Sequence, residues 1–192
     1  MHRQLMILGL VCLGLCSCQR IVWTAKPVIE SADKSDLSLA GVWTRYKRPV
    51  ADDVAADETV EVTGPDGAGI YCATRKGATP DADFCTTFVA SKLPDGSAWL
   101  LLQVDLSCLA EKPCNWYAYA AVKDEWLFLR RIDSQKLTDV VERENAPAVI
   151  TPAGFSAEVS ADRKVLLRLL ETHVKEITAD AGVYRRATSA GP

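Results

Sequence analysis

Histidine is almost absent from this chain of 192 residues, which contains only two. His173 is the one that follows the N-terminal apolar segment, so a metal site built from several imidazoles is excluded. A histidine-centred catalytic triad would have to use His173, and no G-x-S-x-G sequence supplies a nucleophile for it. The composition therefore predicts no catalytic residue, no metal and no cofactor.

Long basic runs and long apolar runs are missing as well. The net charge is −3, and it becomes −4 when the first seventeen residues, whose only charged side chain is Arg3, are left out. Such a mildly acidic chain attracts a phosphate backbone weakly, so nucleic acid is not an expected partner. The N-terminal apolar run, residues 5–16, is shorter than the roughly 20 residues that a membrane-spanning helix needs.

What the N-terminus does contain is this short run, which follows Arg3 and ends in Leu15, Cys16, Ser17 and Cys18. A basic start and a short apolar run are typical of a cleaved secretory signal. The last four residues resemble the lipobox of bacterial lipoproteins, in which a small residue precedes the cysteine that becomes the acylated N-terminus. The resemblance implies lipidation of Cys18, because Cys16 follows the bulky Leu15. The alternative is an ordinary signal with incidental cysteines.

Lipidation implies a folded part outside the cytoplasm. Acyl chains hold a soluble domain on a bilayer because each buried CH₂ contributes about 0.8 kcal/mol. The next residue is Gln19 rather than aspartate, and by resemblance to lipoprotein sorting this implies the outer membrane, facing the periplasm. We expect residues 1–17 to form the signal peptide, residues 18–36 a lipidated N-terminus and flexible tether, and residues 37–188 a single β-rich domain.

Four cysteines follow Cys18, namely Cys72, Cys85, Cys108 and Cys114. An even number in an exported chain indicates two disulfides, with three possible connectivities. Local pairing, Cys72–Cys85 and Cys108–Cys114, is the preferred solution. A zinc site made of four thiolates is the alternative, although the four cysteines include no C-x-x-C pair.

Short segments of alternating polarity, separated by turn signals, run from residue 41 to residue 132. This pattern predicts a mainly β (α+β) fold, either an antiparallel meander or a small barrel of about seven or eight strands. A short helix is predicted over residues 134–143, and an amphipathic C-terminal helix from Ser160, its expected N-cap, to about Thr178. We expect this longer helix to pack against an open face or mouth of the sheet.

Gly41, Val42 and Trp43 open the first of these strands and are similar to the G-x-W signature of lipocalins. The fold of that family is a calyx-shaped barrel that binds small apolar molecules, and the resemblance implies the same here. In lipocalins an arginine late in the chain stacks over the tryptophan. By resemblance, Arg185 or Arg186 is expected to take that role through a cation–π contact.

Aromatic side chains are concentrated on neighbouring predicted strands. They pack in the core and on the sheet faces, or they form a wall that contacts a ligand or a partner. The candidate contacts are Trp43, Trp99, Trp116, Tyr117, Tyr119, Trp126 and Arg185. Alternation over residues 115–122 places Trp116 on one face and both tyrosines, Tyr117 and Tyr119, on the other.

Charged clusters offer two further hypotheses. The arginine pairs at residues 130–131 and 185–186 are typical of strand-surface salt bridging, and the alternative is an anionic ligand or lipid headgroup. Asp52, Asp53, Asp57 and Glu58 lack the spacing of an EF-hand loop, so we interpret them as a solvated loop rather than a calcium site.

The sequence thus predicts a noncatalytic, membrane-anchored envelope lipoprotein that binds a small apolar ligand or a protein partner. The first alternative is a structural or accessory subunit of an envelope assembly, with outward tyrosine and tryptophan side chains as its interface. The second is a hydrolase that uses His173 with an unrecognised serine or aspartate. An apolar cavity lined by tryptophan and tyrosine would favour the ligand binder.

Overall fold

The computed structural model describes residues 21–29, 39–46, 55–76, 85–105, 115–153 and 156–187. Within these ranges the fold is mainly β, as predicted, and it contains three short helices. The strands are β1 (Ile21–Thr24), β2 (Gly41–Tyr46), β3 (Ala55–Thr63), β4 (Ile70–Lys76), β5 (Cys85–Lys92), β6 (Trp99–Asp105), β7 (Asn115–Lys123), β8 (Trp126–Ile132), β9 (Ala148–Ala153), β10 (Ser156–Ala161) and β11 (Thr178–Arg186). The helices are α1 (Ser134–Arg143), α2 (Arg163–Thr172) and α3 (Val174–Ile177).

Eight antiparallel strands, β2 to β8 and β11, close into a barrel. Strands β2 to β8 follow one another as a meander, and β11 returns to lie between β8 and β2. Pairing of β6 with β7 completes the closure, with Trp99 opposite Ala121 and Asp105 opposite Asn115. Of the two predicted architectures, the closed barrel is therefore the one that forms.

Tight turns join β3 to β4, β5 to β6 and β7 to β8 at one end of the barrel, which we call the closed end. In the first turn the Asp66 carboxylate accepts hydrogen bonds from the backbone N–H groups of Ala68 and Ile70, both at 2.9 Å. Gly64 has a φ of 104°, and a Cβ there would lie 2.7 Å from the carbonyl oxygen of Ile70. Only glycine meets both conditions without strain.

The opposite end of the barrel we call the mouth. The connections of β2 to β3, β4 to β5 and β6 to β7 belong to this end, and residues 47–54, 77–84 and 106–114 within them lie outside the described residues. The acidic residues Asp52 and Asp53 and the cysteines Cys108 and Cys114 fall in these segments. The side chains of Asp57, Glu58 and Cys85 also lie outside the described part of the protein, although their backbones belong to β3 and β5.

The barrel interior is one of two hydrophobic cores. Alternate residues of each strand point inward, because successive side chains of a strand face opposite sides. The buried members of this inner core are Leu39, Trp43, Val62, Tyr71, Phe88, Ala90, Leu100, Leu102, Val104, Ala120, Leu127 and Tyr184.

The second core lies on the outer face of the barrel wall. Strands β10 and β9 extend the sheet beyond β1, which pairs with β7 at Trp116 and Asn115. Together with the helices they cover outward side chains of β6 and β7, among them Leu101, Tyr117 and Tyr119. Two strands of the barrel are therefore buried on both faces, which explains why their sequences are apolar at nearly every position.

The first helix has the predicted bounds, residues 134–143, and Asp133 caps it by accepting from the N–H groups of Gln135 and Lys136. The second differs from the prediction. Ser160 belongs to β10, opposite Val149, and the N-cap is Asp162.

The single long helix expected up to about Thr178 is interrupted at His173, which separates α2 from α3. The helices pack on the outer wall, not on the mouth, because their apolar residues belong to the outer core. Among the described residues, none of the helices has the length and apolar character needed to cross a bilayer.

The prediction of a flexible tether is wrong for residues 21–29. Residues Ile21–Thr24 form β1, and the side chains of Val22, Val28 and Ile29 are buried in the outer core. The Gln103 side-chain oxygen accepts hydrogen bonds from the N–H groups of Val28 and Ile29, each at 2.7 Å. This segment is held because β6 and β7 present apolar outer faces that β1 and the following residues cover.

Candidate functional site

The closed end of the barrel is filled by Trp43, whose side chain is fully buried. Its indole N–H donates a hydrogen bond of 2.9 Å to the carbonyl oxygen of Leu39. The guanidinium carbon of Arg186 lies 4.6 Å from the centre of the Trp43 ring, so Arg186 makes the expected cation–π contact. Gly41 has a φ of 143°, which residues other than glycine rarely adopt. The backbone conformation therefore explains why glycine occupies the first position of the G-x-W sequence.

Arg185 does not take part in this contact. It points to the outer face, where its guanidinium carbon lies 5.6 Å from the ring centre of Trp126 and its Nη2 lies 2.9 Å from a carboxylate oxygen of Glu125. In each of the two arginine pairs, residues 130–131 and 185–186, one side chain points inward and the other outward, because neighbours on a strand face opposite sides. Arg130 is outward, over Trp99 at 4.9 Å and beside Asp180, whereas Arg131 shares the inward face of Leu127 and Leu129.

Toward the mouth the inward side chains become partly exposed. Of the inward positions nearest this end, Ala73, Arg75, Thr86, Trp116 and Arg131 are intermediate in exposure, whereas Val104, opposite Trp116, is buried. The inward side chains deeper in the barrel, such as Leu100 and Ala120, are buried. The inner wall is therefore less buried toward the mouth than in the middle of the barrel, which makes the mouth the candidate ligand site.

One inner-wall side chain carries a polar atom that the described part of the protein does not satisfy. Tyr71 is only 1% exposed, and its ring stacks on Phe88 with a centroid distance of 5.1 Å and an interplanar angle of 9°. Its hydroxyl has no hydrogen-bond partner among the described residues. A buried hydroxyl without a partner costs about 1–3 kcal/mol, so native proteins rarely leave one.

A second such atom lies on the same strand. Arg75 follows Tyr71 by four residues on β4, and its buried Nε also has no hydrogen-bond partner within the described ranges. Alternation puts both side chains on the inward face, with Ala73 between them. Ala73 is paired with Thr86 on β5, so a hydroxyl-bearing side chain flanks the same stretch of wall. Tyr71 and Arg75 were not among the site residues predicted from the sequence, and their alternation with Ala73 was the available signal.

The aromatic residues predicted from the sequence are divided among three environments. Trp43 fills the closed end, and Trp116 lies on the inner wall at the mouth. Trp99 and Trp126 lie on the outer face, each beside an arginine.

Tyr117 and Tyr119 are 0% exposed and belong to the outer core. The Tyr117 hydroxyl lies 2.8 Å from the Thr24 hydroxyl, and the Tyr119 hydroxyl donates to the Leu170 carbonyl oxygen. Neither tyrosine can contact a ligand at the mouth or a protein partner, so their selection as contact residues was wrong. The reason is the outer layer of helices and strands that covers them.

His173 lies at the break between α2 and α3 and is packed against two carboxylates. Its Nε2 is 2.6 Å from an oxygen of Glu144, and its Nδ1 is 3.6 Å from an oxygen of Glu176. Neither neighbour is a hydroxyl or thiol, so the described part of the chain places no serine, threonine or cysteine nucleophile in contact with this imidazole. The geometry gives no support to a hydrolase built on His173.

Cys72 is disulfide-bonded and lies on the outward face of β4. In the register of β4 and β5, Cys72 is opposite Thr87 and Cys85 is opposite Thr74. The two cysteine positions thus lie on neighbouring strands, offset by two residues. Pairing of Cys72 with Cys85 stays a prediction, as does Cys108–Cys114.

A cavity of about 240 Å³ lies outside the barrel. It is formed between the segment that follows β1 and the end of β10 with the start of α2, and no aromatic side chain lines it. Its charged lining residues are Lys26, Glu158 and Arg163, and the Arg163 Nε donates to the Val28 carbonyl oxygen at 2.7 Å. This cavity differs from the aromatic-lined one that would favour an apolar ligand, so the mouth remains the better candidate.

Neither a family model nor a curated protein nor a solved structure matches this chain. In the part of the chain that the structure describes, no group of three histidine, cysteine, aspartate or glutamate side chains is placed to hold a metal ion. The function is therefore inferred from the geometry of the barrel.

Proposed function

We propose that this protein is a membrane-anchored envelope lipoprotein whose barrel binds a small, largely apolar ligand through the mouth. The observation that carries the proposal is the hydroxyl of Tyr71, which is buried in the apolar interior with no hydrogen-bond partner among the described residues. A ligand that reaches down the inner wall past Trp116 and Ala73 would supply that partner. Apolar and aromatic side chains around a few polar groups are the usual composition of such a site.

Binding can be tested with N-phenyl-1-naphthylamine, an apolar probe whose fluorescence rises in a dry environment. We expect one probe per chain for the purified full-length protein, with quenching of tryptophan fluorescence from Trp116. Ala73→Phe would fill the inner wall and weaken binding at least tenfold, and the smaller Ala73→Val would weaken it less. Thr74→Phe, on the outward side of the same strand, is the matched control. Absence of probe binding by the folded protein would refute a ligand-binding barrel.

The anchor is a separate part of the proposal and depends on the lipobox resemblance at Cys18. Cys18→Ala is expected to release the protein from the membrane fraction and to remove the acyl mass from the N-terminal peptide. Cys16→Ala is the matched control and should leave both unchanged. By resemblance to lipoprotein sorting, Gln19 implies the outer membrane, and sucrose-gradient separation of the two membranes tests this location. Unchanged fractionation of Cys18→Ala would refute the anchor without affecting the barrel proposal.

The alternative of an envelope-assembly subunit depended on outward tyrosine and tryptophan side chains. Tyr117 and Tyr119 are completely buried, and Trp99 and Trp126 are each beside an arginine. Two of the four side chains that motivated an assembly role are therefore unavailable to a partner, and the ligand-binding proposal is preferred.

A further inference from the structure

We infer that the ligand at the mouth is an amphipathic anion, with an apolar tail in the barrel and an oxyanion head between Arg75 and Tyr71. This inference rests on the proposed ligand-binding function and specifies the chemical class of the ligand. Its basis is the pair of inward polar groups on β4 that have no hydrogen-bond partner within the described ranges.

The charge of the head group follows from Arg75. A guanidinium stays protonated at every physiological pH, and it carries five N–H donors and no acceptor. Its Nε is buried, so water does not replace a missing partner. A carboxylate or phosphate satisfies a guanidinium with charge-assisted hydrogen bonds, which are stronger than those to a neutral acceptor. A neutral head group would give the buried Nε only a weaker hydrogen bond.

The position of the head group follows from the strand geometry. Four residues of a β-strand extend about 13 Å, so Tyr71 and Arg75 bracket a stretch of inner wall on which Ala73 is the only intervening inward side chain. Because alanine has no atoms beyond Cβ, a head group can lie against this stretch and accept from the guanidinium on one side. We place the head group within reach of the Tyr71 hydroxyl as well, because that buried hydroxyl can donate or accept and has no hydrogen-bond partner among the described residues.

The surrounding inner wall favours an anion over a cation. Among inward positions whose side chains the structure describes, none is aspartate or glutamate. Arg45, Arg131 and Arg186 alternate in phase with inward residues, and each has other interactions of its own. Their charges nevertheless add to a positive potential in a medium of low dielectric, where each charge acts over a longer distance than in water.

The test compares ligands that share a tail and differ in the head. Decanoate, decyl phosphate, decanol and decyltrimethylammonium are used to displace N-phenyl-1-naphthylamine from the purified full-length protein. We expect decanoate or decyl phosphate to bind at least tenfold more tightly than decanol, and the ammonium compound to bind most weakly. The order of the two anions distinguishes a carboxylate from a phosphate ligand.

Substitutions test whether Arg75 and Tyr71 produce the preference for an anionic head group. Arg75→Met should reduce the anion-to-alcohol ratio to about one while decanol binding is kept, and Arg75→Lys should retain part of it. Tyr71→Phe should weaken decanoate several-fold and leave decanol unchanged. The control is Arg168→Gln, which removes a solvent-exposed guanidinium on α2 and should change no ratio.

The outcomes separate this inference from the proposed function. If the probe binds and decanol displaces it as tightly as decanoate, the barrel binds ligands but the anion site is wrong. The same conclusion follows if Arg75→Met folds and retains the preference. If neither the probe nor any amphiphile binds the folded protein, the proposed function itself fails.

Discussion

The hydroxyl of Tyr119 on β7 donates a hydrogen bond of 2.7 Å to the carbonyl oxygen of Leu170 near the end of α2. Helix α2 ends at Thr172, so the carbonyl groups of its last turn lose their partners within the helix. The backbone N–H of His173 donates a hydrogen bond to the carbonyl oxygen of Leu169, and the Tyr119 hydroxyl on the barrel wall donates to that of Leu170. This contact joins the outer face of the barrel to the point where the helix stops. Burial and the nearby Glu171 raise the pKa of Tyr119 far above its usual range, so the phenol stays a donor.

Tyr119→Phe is therefore expected to lower the free energy of unfolding by about 1–3 kcal/mol, because it leaves a buried carbonyl oxygen without a donor. Urea denaturation followed by circular dichroism measures the change. Tyr71→Phe is the matched control: it removes a buried hydroxyl that has no hydrogen-bond partner among the described residues, so stability should be unchanged or higher. Equal losses in the two variants would contradict this account.

Gln103 should determine whether the N-terminal segment stays on the barrel. Its side-chain oxygen accepts from the N–H groups of both Val28 and Ile29, and its amide nitrogen is 3.4 Å from the Ile29 carbonyl oxygen. Gln103→Leu leaves two buried N–H groups without an acceptor, a cost of about 1–3 kcal/mol for each. We expect faster hydrogen exchange at Val28 and Ile29, with the barrel strands protected. Gln135→Leu, at an exposed position of α1, should leave that exchange unchanged.

Stability at acid pH should depend on Glu176. A hydrogen bond from Arg143, and more weakly the contact with His173, lower the pKa of this carboxyl below its ordinary value of 4.5. A lowered pKa means that the stabilisation is present above pH 4.5 and is lost as the pH falls through the folded-state value. Glu176→Gln should therefore flatten the decline of the melting temperature below pH 4.5. A variant whose acid profile matches that of the parent protein would show that this ion pair is not coupled to folding.

Glu171 provides a comparison of opposite sign. Partial burial raises its pKa above 4.5, so it destabilises the fold once the pH has risen through the folded-state value. Glu171→Gln is expected to raise the melting temperature at pH 7 and to have little effect at pH 3. A decrease at pH 7 would mean that the carboxylate has a partner that outweighs its desolvation.

The disulfide of Cys72 should be found with Cys85. Trypsin cuts after Arg75 and Lys76, so the non-reduced digest is expected to contain two peptides joined by this bond, and reduction should separate them. In the chain-entropy model, a disulfide that closes the loop from Cys72 to Cys85 stabilises the fold by about 3 kcal/mol. A reductant should therefore lower the melting temperature. In the double variant Cys108→Ala, Cys114→Ala the linked peptides should persist. A link from Cys72 to Cys108 or Cys114 would overturn the pairing.

Elements whose signals are local were predictable from the sequence. Helix α1 has an amphipathic pattern over ten residues and an aspartate immediately before it, and its bounds were predicted without error. The second helix was predicted to begin at Ser160, an equally good N-cap by composition. Ser160 instead pairs with Val149 on β9, and no local pattern contains that partner. Whether such a residue caps a helix or belongs to a strand is determined by pairing with a distant strand and not by its own N-cap propensity.

The outer layer was the main feature that the sequence analysis missed. A strand of four residues such as β1 shows no period, and Val22 is buried only because β7 and β10 flank it. The same layer converts Tyr117 and Tyr119 from exposed residues to core residues. Their strand is apolar on both faces, which is typical of a strand covered on both sides, and that signal was available. The inner pair Tyr71 and Arg75 could not be ranked, because a missing partner is a property of three-dimensional packing.

The early start of β1 determines how an acylated Cys18 would orient the molecule. The three residues of chain from Cys18 to Ile21 reach about 10 Å at most when extended. The barrel would therefore lie close to the bilayer and would not move on a long flexible tether. Strand β1 pairs with the start of β7, with Trp23 opposite Trp116, so Ile21 lies beside the middle of that strand and well short of the closed end. So short a tether would hold the flank of the barrel that carries β1 near the bilayer, with neither end of the barrel turned squarely toward the lipid.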